Sequence, residues 1–211
     1  MNENCYLITT ADERTWKFDR RVIFLGEWCH IYNRKHIWNN MNGDTIPWQG
    51  SNRIKIKKDY FYLNDLYEKV LINLTHELNT VHRTNYTLRY WRIIIGPWLL
   101  IYIGVLWDRW ESIRLFGDTK VECETIVPKF DFKNLVSDDY EHALKLMSMS
   151  DNWNYLIYSE ILKVQNHKNI KLIKKDISLD NEHELSVNKT HSLMYDIVMG
   201  VDKFISKIIK T

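Results

Sequence analysis

The stretch that decides the fold is Leu88 to Phe116, which reads LRYWRIIIGPWLLIYIGVLWDRWESIRLF. It carries no charge from Ile93 to Trp107, and charged residues then crowd into its last turns. A helix that is apolar all the way round has to be buried on every side, whereas a surface helix shows only an apolar stripe. The stretch therefore predicts a long helix at the centre of the core, with a charged end where a site could form.

The uncharged run is shorter than the hydrocarbon core of a bilayer, so we do not expect a membrane span. Its fifteen residues rise about 1.5 Å each and cover roughly 22 Å, against roughly 30 Å of hydrocarbon. Gly96-Pro97 also interrupts the run, because proline has no N–H to donate and its ring clashes with the carbonyl four residues back. We expect a kink there, or a new helix with Pro97 at its first position.

The totals limit the class of protein. A chain of 211 residues can bury a sizeable core, and we expect a single domain over 1–211. Its 29 Lys and Arg nearly balance its 27 Asp and Glu, so bulk charge gives no reason to expect a nucleic-acid partner. Cys5, Cys29 and Cys123 are odd in number and widely spaced, and no early segment resembles a signal peptide. We therefore expect a reducing cytoplasm, no disulfide and no structural zinc.

Two apolar runs near the start of the chain indicate a sheet. Cys5 to Thr9 is short and β-prone, and Arg21 to Gly26 is a continuous apolar run closed by glycine. Such runs are typical of strands buried on both faces of a parallel sheet. The fold class predicted is α/β, a Rossmann-like parallel sheet with a long buried kinked helix and flanking helices. In open sheets of this kind, ligands bind beyond the carboxyl ends of the strands.

The other elements follow from periodicity and turn chemistry. Asp59 is expected to cap the first long helix, and residues 166–190 form a polar loop or weakly ordered segment. The predicted elements are helices at 59–83, 137–150, 151–165 and 190–210, strands at 121–127 and 170–173, and an irregular stretch at 33–56.

Two polar clusters follow the two predicted strands and are the first site candidates. Glu13 lies in the first, where a carboxylate pair beside a guanidinium can orient a hydroxyl nucleophile; turn and capping duty is the alternative. Glu27 lies in the second, next to a tryptophan that could shield it from water. The clusters are Thr9, Thr10, Asp12, Glu13, Arg14 and Trp16, and Gly26, Glu27, Trp28 and Cys29 with Arg34 and His36.

A third cluster closes the apolar stretch, at Asp108, Arg109, Trp110, Glu111 and Arg114. Its charges lie three residues apart on one helix face, so an internal ion-pair network explains them. The histidines show no one-turn pair of the kind that a helical metal site uses, and we expect no metal. The sequence also has no glycine-rich phosphate loop, no GxSxG and no HExxH.

Three separated strings carry a family resemblance. They read LITTADERTWKFDRRVIFLGEWCHIYNRKHIW (7–38), YFYLNDLYEKVL (60–71) and LRYWRIIIGPWLLIYIGVLWDRWESI (88–113). Together they resemble the opening region of a bacterial family of transferases from O-antigen and other surface-polysaccharide clusters, over roughly residues 5 to 130. The resemblance implies a glycosyltransferase-like enzyme of the two-Rossmann-domain (GT-B) type that acts in the cytoplasm on a cell-surface glycan precursor.

Members of that family are much longer than this chain. In two-domain transferases of this type the amino-terminal domain generally holds the acceptor and the carboxyl-terminal domain holds the activated donor. The resemblance therefore implies an acceptor-side domain, which is either a fragment of a longer two-domain transferase, a truncated gene product or a stand-alone acceptor-like domain. Without a donor-binding domain, the chain is expected to be inactive alone. No cofactor is expected, and a nucleotide-activated sugar is expected only with a second domain.

The first functional hypothesis is this acceptor-side transferase domain, cytoplasmic or at the inner membrane face. Its expected partners are a glycan or lipid-linked acceptor and a missing donor-binding domain or partner chain. Glu13 and Glu27 are the predicted catalytic residues. The predicted substrate-binding residues are Thr10, Asp12, Arg14, Gly26, Trp28, Arg34 and His36.

The second hypothesis is a non-catalytic module that docks on a partner protein or an anionic membrane surface. Exposed tryptophans would make the contact, or the predicted helix at 190–210, which has three lysines along one side. At most peripheral membrane contact is expected.

Overall fold

The computed structural model describes residues 5–48, 50, 52–128, 137 and 139–175. The predicted helix at 190–210 lies outside these residues, as does most of the polar segment 166–190. The chain forms two compact units. The first comprises Met1–Ser51, Trp107–Asp131 and Met149–Asp180, and the second comprises Asn52–Leu106, Phe132–Ser148 and Asn181–Thr211.

A five-stranded parallel sheet forms the first unit. The strands are β1 (Cys5–Ile8), β2 (Val22–Phe24), β3 (Gly43–Thr45), β4 (Cys123–Pro128) and β5 (Ile170–Lys175), in the order β3-β2-β1-β4-β5. All four strand pairs are parallel, and every residue of β1 and β2 is buried. The sheet confirms the predicted α/β Rossmann-like class.

The strand order places the carboxyl ends of β1 and β4 at a switch point. From β1 the chain builds β2 and β3 on one side, and it later adds β4 and β5 on the other. Because all the strands are parallel, the loops that follow β1, β2 and β3 meet at one edge, here called the carboxyl edge. The opposite edge is the amino edge. Ligands of open α/β sheets bind beside the carboxyl ends at such a switch point.

Helix α5 (Asp151–Gln165) covers the sheet of the first unit and has the bounds that its pattern predicted. The Ser150 side chain caps it by accepting the N–H of Trp153 at 3.1 Å. The buried Tyr155 hydroxyl donates to the carbonyl of Ile126 at 2.8 Å, which ties the helix to β4. A short helix, α1 (Lys35–Trp38), follows the second candidate cluster.

Two long helices dominate the second unit, α2 (Arg53–His82) and the first part of α3 (Leu88–Asp118). The predicted start of α2 at Asp59 is wrong, because the helix begins six residues earlier, at Arg53. The Asn52 side chain caps it by accepting two backbone N–H groups at 3.1 Å. Asp59 instead pairs with Lys55. Asn79 holds the turn between the helices and accepts from the Trp91 indole at 3.0 Å. The shorter helix α4 (Tyr140–Met149) also begins in this unit.

Helix α3 is not buried on every side, and this prediction is wrong. Its aromatic residues Trp91, Trp98 and Tyr102 are buried, whereas Ile93 is 66% exposed and Leu100 is 52% exposed. The helix also runs unbroken through Pro97, without the new start that the proline predicted. Composition cannot distinguish the buried face of α3 from its exposed face, because both faces are apolar.

Within the described ranges, α3 is the one helix that is long and apolar enough to cross a membrane. Of its most apolar 18-residue window, 39% is buried. Core helices of soluble proteins meet the same criterion, so length and composition alone do not indicate a span.

The last turns of α3 belong to the first unit and form the predicted ion-pair network. Glu111, with only 4% of its side chain exposed, accepts from Arg114 at 2.8 and 2.9 Å. Arg114 also pairs with Asp118 at 2.7 Å, and Arg109 pairs with Asp108 at 3.2 Å. The internal network explains this cluster, as the sequence predicted.

A disulfide joins Cys5 and Cys123, and the expectation that the chain forms none is wrong. The two cysteines are 118 residues apart, but they begin neighbouring strands and face each other in register. Sequence spacing gives no sign of this pairing. The cysteine pattern therefore no longer supports the expected location in a reducing cytoplasm, and that location stays a prediction.

Candidate functional site

The loop after β1 is shaped by Asp12. Its carboxylate, 8% exposed, accepts from the backbone N–H of Arg14 at 3.1 Å and from the Arg14 guanidinium at 2.9 Å. The same guanidinium reaches the side chain of Asn152 at 3.2 Å. The bond from the Arg14 N–H to Asp12 caps a 3₁₀ turn at Glu13–Thr15. Asp12 and Arg14 therefore perform the turn and capping duty that the sequence left open as an alternative.

An ion pair between Glu13 and Arg34 joins the loop after β1 to the segment after β2. The Glu13 side chain is 18% exposed, whereas that of Arg34 is 53% exposed. The carboxylate is thus held within the loops while its partner's guanidinium keeps access to solvent. The two sequence clusters are neighbours in space at the carboxyl edge.

The loop after β2 contains an oriented histidine that the sequence reading missed. Glu27 and His30 lie three residues apart on a 3₁₀ turn, with the carboxylate 3.0 Å from His30 Nδ1. The imidazole is 14% exposed and packs between Phe24 and Trp38, with each ring centroid 4.5 Å away. A carboxylate beside Nδ1 fixes the tautomer that carries its proton there. His30 Nε2 is then a proton acceptor, which is the property of a general base.

Glu27 differs from what the sequence predicted for it. Its side chain is 78% exposed, so the tryptophan next to it does not shield it from water. Its position suits a group that orients and charge-stabilises an imidazole better than one that acts as a desolvated base. The i, i+3 spacing of glutamate and histidine on a tight turn was the available sequence signal for this pair.

Trp28 lies across Gly26 and ties the two loops together. A Cβ on Gly26 would come within 2.1 Å of the indole, so the glycine is required by the tryptophan. The indole N–H donates to the carbonyl of Thr9 at 2.9 Å, and the ring stacks on Tyr158 with an interplanar angle of 6°. With 38% of its surface exposed, Trp28 keeps part of its ring available to a ligand at this edge.

Thr10 contributes a buried hydroxyl that is not paired. The residue is 1% exposed, and its Oγ1 has no hydrogen-bond partner among the described residues. A buried hydroxyl without a partner is costly, because it loses its water and gains nothing in return. A ligand atom could supply the missing bond.

The other candidates lie apart from this chemistry. Burial raises the pKa of the Cys29 thiol, which keeps it protonated and unsuited to act as a nucleophile. His36 lies on α1 with its side chain exposed, and among the described residues it makes none of the contacts that join the two loops. Tyr32, 81% exposed, and Trp48, 65% exposed, are further rings after β2 and β3 that the sequence reading did not select.

The described residues contain no group of three or more His, Cys, Asp or Glu side chains that could hold a metal ion. The cavities described lie elsewhere in the unit. A cavity of about 740 Å³ opens at the amino edge, beside Arg20, Arg21 and Asn42. No cavity described here lies at the carboxyl edge. The candidate site is therefore assigned from its polar groups, the Glu27–His30 pair and the unpaired Thr10 hydroxyl.

Comparison with known proteins gives one family and no individual relative. No curated protein and no solved structure matches the chain. The model of the LIC12162 family transferase matches residues 5–211. That match includes both loops of the carboxyl edge and covers almost the whole sequence, so this chain belongs to the LIC12162 family of transferases.

Proposed function

We propose that this transferase chain is the acceptor-side domain of a glycosyltransferase-like enzyme in O-antigen or other surface-polysaccharide biosynthesis. The observation that carries the proposal is the Glu27–His30 pair, which lies beside Trp28 in a loop at the carboxyl edge of a parallel sheet. The acceptor is a glycan or a lipid-linked glycan. The nucleotide-activated donor belongs to a second domain of the GT-B type, and the place of action is the cytoplasmic face of the membrane.

The proposed chemistry is activation of an acceptor hydroxyl. His30 Nε2 takes the proton of that hydroxyl as its oxygen attacks the anomeric carbon of the donor sugar. The bond from that carbon to the nucleotide phosphate breaks, and the nucleotide leaves with the electron pair. Glu27 holds Nδ1–H of the imidazole and offsets the positive charge that develops on the ring.

The neighbouring groups suit acceptor binding. Trp28 offers an indole edge to the apolar face of a sugar ring, because aromatic rings combine an apolar surface with a polar handle. The Thr10 hydroxyl and the exposed Arg34 guanidinium supply hydrogen-bonding groups. Glu13, already paired with Arg34, is assigned to positioning rather than to proton transfer.

The test uses sugar transfer by a full-length transferase of the family that keeps this pair of residues. Transfer of labelled sugar is measured from a panel of nucleotide sugars to the lipid-linked glycan of a membrane fraction. His30→Gln and Glu27→Gln should each lower kcat by about 10²- to 10⁴-fold, the usual contribution of a general base. Glu27 is 78% exposed, so the Tm of Glu27→Gln should stay within a few degrees. The His30 ring packs between Phe24 and Trp38, so the Tm of His30→Gln is measured as well, to establish that this variant is folded.

Asp44→Asn is the matched control, because Asp44 is also an exposed carboxylate in an ion pair, with 68% of its side chain exposed. It should retain full activity. Full activity in His30→Gln would reject the histidine as the base. Full activity in both Glu13→Ala and Glu27→Ala would reject the whole carboxyl-edge site.

A further inference from the structure

One face of α3 carries an exposed apolar stripe, formed by Ile93, Ile94, Pro97, Leu100 and Ile101. Their spacings of three, four and seven residues place them on one side of the helix. Ile93, Ile94 and Leu100 are each more than half exposed, and Ile101 is 37% exposed. The stripe belongs entirely to the second unit. Exposed apolar patches of this kind mark interaction sites.

Gly104 continues the stripe by one turn and supports the same conclusion. A Cβ on Gly104 would meet no atom within 4 Å, whereas a Cβ on Gly96 would meet the Tyr67 hydroxyl at 2.6 Å. A Cβ at Gly96 would therefore displace the Tyr67 side chain, whereas a Cβ at Gly104 would displace nothing within the described chain. The space above the end of the stripe is open to an occupant from outside.

The stripe alone is smaller than the interface of a stable dimer. From Ile93 to Gly104 it covers about 17 Å of a helix that is about 10 Å wide, or roughly 170 Å². Stable protein–protein interfaces need about 800 Å² from each partner. A lipid surface has no such minimum, because an amphipathic helix inserts its apolar side chains one by one between the headgroups.

Charge favours an anionic lipid surface. Residues 52–106 contain eight Lys and Arg against four Asp and Glu, a net charge of +4, although the whole chain has a net charge of +2. Two of the four acids, Asp59 and Glu68, are already paired within this segment, with Lys55 and Arg92. The segment that exposes the stripe thus carries an excess of positive charge.

The amino end of the stripe has the chemistry of a membrane interface. Tyr90 is 40% exposed, and Arg89 beside it is exposed as well. Aromatic and basic side chains of this kind lie at the level of the headgroups. No acidic residue occurs from Leu88 to Trp107, so nothing on this part of the helix repels an anionic bilayer.

We propose that the apolar stripe of α3 docks peripherally on the surface of an anionic bilayer. The helix lies in the plane of the interface, with the stripe among the acyl chains and with Arg89 and Tyr90 at the level of the lipid headgroups. This inference goes beyond the proposed function and does not depend on it. It would bring a transferase to lipid-linked acceptors, and it also stands if the acceptor is something else.

The first test is sedimentation of the full chain with vesicles of phosphatidylcholine, with or without 30% phosphatidylglycerol. Binding to the anionic vesicles should be about tenfold tighter or more, and 0.5 M NaCl should weaken it. The variant Ile93→Glu/Leu100→Glu should lose at least about tenfold in partitioning. The control Ile31→Glu/Met149→Glu makes the same charge change at exposed positions, 44% and 80%, and should bind like the parent chain.

The second test distinguishes lipid from other occupants. Ile94→Cys is labelled with a water-soluble maleimide, since Cys29 is buried and Cys5 and Cys123 are joined. The new thiol should react freely in solution and become protected by anionic vesicles. Protection without vesicles would mean that another segment or a second copy covers the stripe, and would overturn the proposal. Equal vesicle binding by parent chain and Ile93→Glu/Leu100→Glu would also overturn it.

Discussion

The two edges of the sheet are built differently. At the amino edge, side chains tie the strands together: a disulfide joins β1 to its neighbour β4, and Arg20, which precedes β2, reaches Glu124 of β4 at 2.6 Å. At the carboxyl edge, the loops are tied to each other, yet Thr10 keeps an unpaired hydroxyl and Glu27 stays exposed. The amino edge uses its polar groups for stability. The carboxyl edge leaves some of them available, which is what a binding site requires.

Reducing the disulfide should produce the largest loss of stability and should leave the carboxyl edge unchanged. The bond closes a loop of 118 residues, and loss of a native disulfide of this kind costs about 2–5 kcal/mol of unfolding free energy. Urea unfolding with and without dithiothreitol measures the difference, and Cys5→Ser/Cys123→Ser should match the reduced protein. Labelling of Glu27→Cys should be as fast in the reduced as in the oxidised protein.

Cys29→Ala is the control for this experiment, because Cys29 is the free, buried cysteine. Its unfolding should remain sensitive to the reductant. If reduction leaves the unfolding free energy of the parent chain unchanged, the bond does not brace the amino edge, and the contrast between the edges fails.

Two buried threonines give a smaller but sharper comparison. Thr125 donates its hydroxyl to the carbonyl of Leu7 at 2.9 Å, whereas Thr10 donates to nothing among the described residues, although each is at most 2% exposed. Thr125→Val should lower the unfolding free energy by about 1 kcal/mol, because it leaves a buried carbonyl without its donor. Thr10→Val should be neutral or stabilising by up to about 1 kcal/mol, because it removes an unpaired hydroxyl.

Urea unfolding of the two valine variants shows whether the Thr10 hydroxyl contributes to stability as the Thr125 hydroxyl does. Equal losses would mean that Thr10 has a structural bond, and the carboxyl edge would then be closed like the amino edge. If Thr10 instead serves a ligand, Thr10→Val should reduce transfer activity in a full-length family member without loss of stability.

Sequence reasoning succeeded where local pattern decides the structure. The buried runs gave β1 and β2, the bounds of α5 followed from its periodicity, and the spacing of Glu111 and Arg114 gave their ion pair. It also placed both site loops at one edge, because parallel strands must share their carboxyl ends. These features depend on residues that are close in sequence or on a rule of topology.

Sequence reasoning failed where the structure depends on contacts between residues that are distant in sequence, or on strands that are exposed to solvent. Strand β3, which reads Gly-Asp-Thr, has no apolar pattern, because two of its three residues are exposed. Cys5 meets Cys123 through strand order, which no spacing reveals. His30 gains its role from the rings of Phe24 and Trp38, whose placement depends on the folded loops.

The smallest effects should come from the arginines of the two edges. Arg21 pairs with Asp44 at the amino edge, where the partners are 42% and 68% exposed, and Arg34 pairs with Glu13 at the carboxyl edge. Exposed ion pairs are worth between 0 and about 1 kcal/mol, since water and salt screen them. Arg21→Gln should therefore change the unfolding free energy by less than about 0.5 kcal/mol, and Arg34→Gln by less than about 1 kcal/mol because Glu13 is less exposed.

Arg21→Gln and Arg34→Gln should differ in transfer activity, although their losses of unfolding free energy are both small. Arg34→Gln should raise the KM for the acceptor several-fold in a full-length family member, whereas Arg21→Gln should leave it unchanged. Urea unfolding in 0.1 M and 1 M NaCl provides the stability readout, and salt should reduce both small losses. A loss above about 2 kcal/mol for Arg34→Gln, well beyond a screened pair, would make this arginine a structural brace, and the carboxyl edge would then resemble the amino edge.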